Sequence, residues 1–286
     1  MLSSPAMSIA DHIEVRLART RAEIEAAQRL RYRVFYEEWG AHPDQAARES
    51  GRDADAYDAI MDHLVVVDRR RSESEGQVVG NYRLLRHDRL RHGQHFYTSH
   101  EFDIGHLLAS GQRLLELGRS CVLREYRSFP VLQMLWSAIA AYVADHRIQV
   151  MFGCASLRGT DPAAVREQLA YLHHYHLAPA AMRPRARGAE RIGMDVMDKA
   201  SVDPRRAMAS LEPMVKGYLR VGASIGEGAY VDRQFNAIDV CIVVPTAQLT
   251  QRYLRHFERS IQRKLIDHEP ATVQAGAQQP RLVASG

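Results

Sequence analysis

The chain has 286 residues, 46% of them hydrophobic and 25% charged, so it carries enough apolar material to close one sizeable core and too much to remain a disordered polymer. Its formal net charge of +4 comes from arginine-rich text nearly balanced by acid, which reads as a composition bias and excludes a strongly basic nucleic-acid surface while leaving an acidic protein or anionic lipid as a partner. Three scattered cysteines, Cys121, Cys154 and Cys241, exclude a disulfide scaffold or a zinc ribbon and predict buried free thiols in a reducing compartment.

The first residues lack the basic start and apolar run of a secretory signal. The longest apolar stretch, Val131 to Ala144, is too short to cross a bilayer, so a cytoplasmic protein is expected, either free or resting on the inner membrane. In chain order, residues 1–10 are expected to be flexible. His12 to Ala18 then alternates apolar and polar residues as a half-buried strand does, and Thr20 precedes a helix with Ile24, Ala27, Leu30 and Val34 on one face. Gly40 to Asp58 reads as a loop or short helix. Leu64 to Val67 is a buried strand, Glu73 to Gly76 a turn, and Val78 to Leu85 the returning strand of a hairpin. Arg86 to Gly111 gives no clear pattern. Arg113 to Val122 is a strand, and Pro130 opens a helix whose apolar face carries Leu132, Leu135, Trp136, Ile139, Tyr142 and Val143. Val150 to Cys154 is a further strand, and Asp161-Pro162 caps a helix running to about His176. Ala178 to Gly193 is a loop rich in Pro and Arg, Leu211 to Gly222 is helical, and Ala237 to Val244 is a strand. Residues 11–265 thus read as one mixed α/β domain and 266–286 as a disordered tail.

Five blocks could carry chemistry. Arg31 and Phe35 share one helix face. Asp53-Ala54-Asp55-Ala56-Tyr57-Asp58 is either a solvated loop or a counter-ion cluster for a cation or an arginine. Arg83 is embedded in an apolar strand and needs a partner. In Glu116-Leu117-Gly118-Arg119-Ser120, strand alternation sends 116, 118 and 120 to one side and 117, 119 and 121 to the other. Glu116, between two leucines, is either a base with a raised pKa or a structural carboxylate paired with an arginine. Finally, Arg124 and Arg127 precede a helix N-terminus, an arrangement suited to a phosphate. His173 and His176 could share a helix face, but no further ligand stands at a metal-binding spacing, so no metal is expected.

Together these blocks resemble two related GNAT-like families. Acyl-homoserine lactone synthases carry an L-R-x-x-x-F helix, a D-x-x-D loop, a strand arginine and an E-x-x-R strand. Leu30-Arg31 with Phe35, Asp55 with Asp58, Arg83, and Glu116 with Arg119 match that order. The closer resemblance is to the L-ornithine Nα-acyltransferases: R-Y-x-V-F-Y-E-E from Arg31, D-H-L-V-V from Asp62, G-x-Y-R-L-L from Gly80, E-L-G-R-S-C-V from Glu116, F-G-C-A-S-L from Phe152, K-G-Y-L-R-x-G-A from Lys216 and D-x-x-F-N-x-x-D-V from Asp232. The last two blocks fall in a family-specific C-terminal region, about 190–265.

This resemblance implies a GNAT-like acyltransferase fold, a central twisted and mostly antiparallel sheet flanked by helices. It implies transfer of a 3-hydroxyacyl group from acyl carrier protein to the α-amine of L-ornithine, giving lyso-ornithine lipid, with no cofactor bound permanently beyond the carrier's phosphopantetheine thioester. The site residues that follow are Glu116, Arg119, Arg31 and Arg83 for catalysis, and Phe35, Asp55, Asp58, Ser120, Asp232 and Asn236 on the substrate side. Val122, Arg124 and Arg127 would flank the phosphopantetheine arm, and Arg183, Arg185 and Arg187 would meet the carrier. Asp55 and Asp58 bind either Arg31 and Arg83 or the cationic end of ornithine. The alternatives are a lactone synthase, or a non-catalytic lipid- or membrane-binding protein on the same scaffold.

Overall fold

Alternation builds β1 (Ile13–Leu17), and the Thr20 hydroxyl then accepts the Glu23 N–H to start α1 (Arg21–Tyr32), which widens into a π-turn over Arg33–Glu38. The computed structural model describes residues 12–72, 76–262 and 265; the expected flexible N-terminus, the turn from Glu73 apart from its Gly76, and the expected tail from 266 lie outside the described residues. Asp44 caps the short α2 (Gln45–Ser50), and β2 (Asp62–Asp68) and β3 (Val78–Arg86) pair antiparallel.

The patternless stretch from Arg86 to Gly111 contains two 3-10 turns, the two-residue β4 (Phe102–Asp103) and α3 (Gly105–Ala109). Its Phe96, Phe102, Ile104 and Leu107 are buried, but in pieces too short for a period to show. β5 (Leu114–Val122) passes through one 3-10 turn into α4 (Phe129–Asp145), with Pro130 in the first helical turn. After β6 (Val150–Arg158), α5 (Arg166–His176) begins later than Asp161-Pro162 suggested, because Asp161 accepts the Ala163 N–H in a separate turn. The Pro- and Arg-rich stretch forms two short pairings, β7 (Arg185–Ala186) and β8 (Arg191–Ile192). The chain continues with α6 (Pro204–Ser210), α7 (Pro213–Val221), β9 (Ser224–Ile225), β10 (Ala229–Asp232), β11 (Ala237–Pro245) and α8 (Gln251–Ile261).

One sheet runs β1-β2-β3-β5-β6-β11-β10-β8 with β9 also on β11, and β4 pairs β7 apart from it. Among the described residues, β5 and β6 are the only named strands of this sheet that pair in parallel, and the other pairs are antiparallel. Along β11, Ile238, Val240, Ile242 and Val244 enter one core and Cys241 and Val243 the other, the two-residue period of a strand buried on both faces.

The feature that positions the site is a fork. β5 and β6 pair through Leu114–Val150, Leu115–Met151 and Glu116–Phe152, and then stop. β5 continues along β3 as far as Val122 opposite Gly80, while β6 continues along β11 as far as Arg158 opposite Ala237. The two strands diverge at Gly153, where a Cβ would stand 2.1 Å from the Leu117 carbonyl oxygen. Only glycine admits that approach.

Gly153→Ala must therefore push the Leu117 carbonyl aside, and a loss of about 1–3 kcal/mol in urea unfolding is expected. An unchanged midpoint would show that the fork does not depend on the missing side chain.

Candidate active site

The acidic loop and the arginine blocks meet on one side of the fork. Arg31, fully buried on α1, donates from Nε to Asp53 Oδ2 at 2.7 Å and from Nη2 to both oxygens of Asp58 at 2.9 Å. Arg83 donates from Nη1 to Asp55 at 2.6 Å and Asp58 at 3.1 Å, and Arg119 Nε lies 3.4 Å from Asp53. Burial alone would lower the Arg31 pKa; Asp53 and Asp58 outweigh it and hold it above the usual value. Burial likewise pushes the Asp58 carboxyl up, but Arg31 and Arg83 bring it down to about 2. Of the two roles open to Asp55 and Asp58, both carboxylates are thus engaged by the chain's own guanidinium groups. Arg31 does not line the cavity described below, so it holds the loop and touches no bound molecule there.

The strand alternation expected for β5 breaks within this block. Arg83 faces Gly118 and Asn81 faces Cys121, leaving Tyr82 alone opposite Arg119 and Ser120, and Arg119 takes φ +48°. This β-bulge turns Arg119 to the side of Glu116 and sends Ser120 to the other side, where it hydrogen-bonds Tyr82. Arg119 then lies over the rings of Phe235 at 4.1 Å and Tyr97 at 4.8 Å.

Glu116, 1% exposed, does not pair with an arginine. It accepts from the Thr98 N–H and hydroxyl, both at 2.6 Å, through Oε1, and from the Tyr97 N–H at 3.0 Å through Oε2. Burial raises its pKa, and these three donors oppose the rise without cancelling it.

A cavity of about 1110 Å³ fills the fork. Glu116, Gly118, Arg119, Arg83 and Asp232 line its polar end, and Ser120 lines it beside Tyr82. Trp136 and Ile139 from α4, Tyr218 from α7 and Phe257 from α8 line its apolar body, with Phe35 from the π-turn against Phe235. Arg158, Lys216, Arg220, Arg255 and Arg259 also line it. A polar reaction centre thus joins a volume suited to a hydrocarbon chain.

On the expected donor side, Val122 and Arg127 line the cavity and exposed Arg124 does not. Arg127 donates to the Val122 carbonyl and is clamped by Glu38, with one contact at 2.7 Å. The first turn of α4 has no side-chain cap, Pro130 carries no N–H, and the Leu132 N–H bonds the Ser128 carbonyl. Asn236, expected on the substrate side, instead sits at φ +50° in the turn between β10 and β11, outside the cavity lining. Arg183 and Arg185 pair with Glu227 and also lie outside that lining. His176 bonds the Tyr171 hydroxyl, while His173 gathers with His174 and Asp195, so the two histidines do not form the face expected of them.

A family model described as an acetyltransferase (GNAT) domain matches residues 30–137. The L-ornithine N(alpha)-acyltransferase of Rhodobacter capsulatus is 45% identical over 250 residues, covering 87% of this chain and 96% of that protein. The chain belongs to the L-ornithine Nα-acyltransferase family. The relative of the same name from Rhizobium meliloti is 44% identical over 249 residues, 86% of this chain and 84% of that protein. Among solved structures, an N-acyl amino acid synthase from uncultured soil microbes superposes with a TM-score of 0.47 at 10% identity, over 83% of this chain and 95% of that one. Of the two families that the sequence motifs resemble, membership falls to the second, and acyl transfer is the chemistry of this acyltransferase.

Sequence reasoning missed Tyr97, Thr98 and Glu101, and the pairing of Asp53 with Arg31 and Arg119. Asp239 carried a readable signal, a charge inside an otherwise apolar strand, the same signal that marked Arg83. Glu101 and Thr98 lie in the patternless stretch and carried none.

Asp58→Asn leaves Arg31 with Asp53 and Arg83 with Asp55 as their remaining charge partners, and a loss of about 3 kcal/mol is expected on urea unfolding. Because folding depresses the Asp58 pKa, its contribution is fully present above about pH 4 and drains as pH falls toward about 2. The variant should lose that part of the acid limb, and a stability profile identical to the parent's would exclude this role for the network.

Proposed function

We propose that the protein transfers a 3-hydroxyacyl group from the phosphopantetheine thioester of acyl carrier protein to the α-amine of L-ornithine, giving lyso-ornithine lipid. The observation that carries this reading is the unpaired β5 edge beyond Glu116, opening into an apolar cavity. The thioester lies along that edge, where backbone N–H groups polarise its carbonyl, and the acyl chain enters the body between α4, α7 and α8. The amine attacks the carbonyl carbon and forms the C–N bond. The C–S bond breaks, and the pantetheine sulfur leaves and ends as the thiol. Glu116 takes the amine's proton at Oε2, which spends only one hydrogen bond on Tyr97, and returns it to the departing thiolate. Arg119, held by Phe235, Tyr97 and Asp53, lies beside the acceptor, and Asp232 lies on the same polar side.

The cationic residues lining the cavity give an acidic carrier a complementary surface, and they supersede Arg183, Arg185 and Arg187 in that role. The arm's phosphate meets the uncapped first turn of α4, with Arg127 exchanging Glu38 for it. The catalytic unit is the single domain of residues 11–265, the part from about 190 completing the cavity wall. Among the described residues no helix is long and apolar enough to cross a membrane. The amphipathic product places the enzyme in the cytoplasm at the inner-membrane surface.

Purified protein given 3-hydroxyacyl carrier protein and ornithine should yield lyso-ornithine lipid by mass spectrometry. Acyl-homoserine lactone from S-adenosylmethionine, or no transfer with folded protein, would exclude the reading. Glu116→Gln should lower kcat by about 10²–10⁴-fold with its melting transition retained, and wild-type turnover in that variant would remove Glu116 as the base.

A further inference from the structure

Glu101, Asp232 and Asp239 bring one carboxylate oxygen each to within 4.8 Å of one another. Glu101 follows the turn that holds Glu116, Asp232 ends β10, and Asp239 stands in β11 opposite Ser156 of β6. Glu101 and Asp239 are each 4% exposed and lie against each other, and Glu101 Oε2 and Asp239 Oδ1 accept from no N–H donor. No ion pair among the described residues reaches any of the three, and the neighbouring Arg119 guanidinium is turned to Asp53 and Asp55. Two buried acids held close together cannot both ionise at low cost unless a cation joins them. Asp232 and Asp239 line the cavity, so a cation can arrive from it.

The cluster also connects to the reaction centre. Glu116 bonds the Thr98 hydroxyl at 2.6 Å, that hydroxyl is 3.8 Å from Cys154 Sγ, and the Cys154 thiol adjoins Glu101. Two side chains, Thr98 and Cys154, therefore connect Glu116 to the cluster.

We propose that Glu101, Asp232 and Asp239 form the subsite for the side-chain ammonium of a dibasic amino acid, and so select ornithine over neutral amino acids. This rests on the proposed function, in which the α-amine reacts beside Glu116. Without a ligand, burial and the neighbouring Asp239 raise Glu101 to about 9, and burial followed by the nearby Asp232 raises Asp239 to about 6. The empty cluster therefore keeps a proton at neutral pH, which an incoming ammonium replaces. The residual charge suits a monovalent ammonium better than a divalent metal, which asks for six to eight oxygens if it is calcium.

The test compares ornithine with norvaline, which has the same carbon chain and no side-chain amine. Wild-type kcat/KM should favour ornithine by about 100-fold or more, the worth of a buried charge pair. Asp239→Asn and Glu101→Gln should each collapse that ratio, mainly through the KM for ornithine, and Asp232→Asn gives a third variant should either misfold. Equal use of the two amino acids by the wild type sinks the inference while leaving the proposed function standing. A protein that acylates no amino acid sinks both. A ratio unmoved in the folded variants also overturns it, as does turnover lost to a chelator and restored by Mn²⁺, which would reassign the cluster to a metal.

Discussion

Arg31 and Arg83 cannot stay in the interior between α1 and the sheet unless Asp53, Asp55 and Asp58 come to meet them. Each arginine has given up water almost entirely, and each carboxylate is shared, Asp53 between Arg31 and Arg119 and Asp58 between Arg31 and Arg83. The loop from Gly51 to Ala59 has little apolar material of its own, so its path is set by these bonds. The same network fixes Arg119, and with it the bulge that brings Arg119 round to the side of Glu116. Charge satisfaction in the core and the shape of the cavity's polar end are one constraint here.

The fork adds a second requirement. A parallel pair that stopped without reason would waste backbone hydrogen bonds. Here the interruption begins where the Leu117 carbonyl meets Gly153, and the unpaired edge faces a cavity. Glu116 occupies the last paired position before the opening, and its three donors come from a turn, not from a charged partner. That environment keeps a carboxyl ordered while leaving its affinity for a proton high.

Much of this could be read in the chain beforehand, for reasons that differ by element. The long strands and α4 announced themselves because both periods are visible over nine or more residues. Arg31, Arg83 and the acidic loop were legible as charges needing partners, and Asp55 and Asp58 found theirs within the chain. The bulge was not legible: a positive φ at an arginine has no signature in the text, so the expected sides of Arg119 and Ser120 came out reversed. Asn236 entered through the resemblance, and its φ of +50° places it in the turn between β10 and β11, outside the cavity lining. The stretch around Thr98 and Glu101 is irregular, and its burial comes from contacts distant in sequence. Periodicity has no access to those.

β11 has a consequence for how the protein is made. It pairs with β6 from end to end, yet it emerges from the ribosome long after β6, with α5, α6, α7 and several short strands between them. Until it arrives, one edge of β6 has no partner and the other meets β5 only at three positions. The nascent chain therefore carries a long apolar edge strand through much of its synthesis, the state most exposed to pairing with another chain. The late strand closes the sheet and ends that exposure, and the cavity is completed only afterwards, when α8 brings Phe257 to its wall.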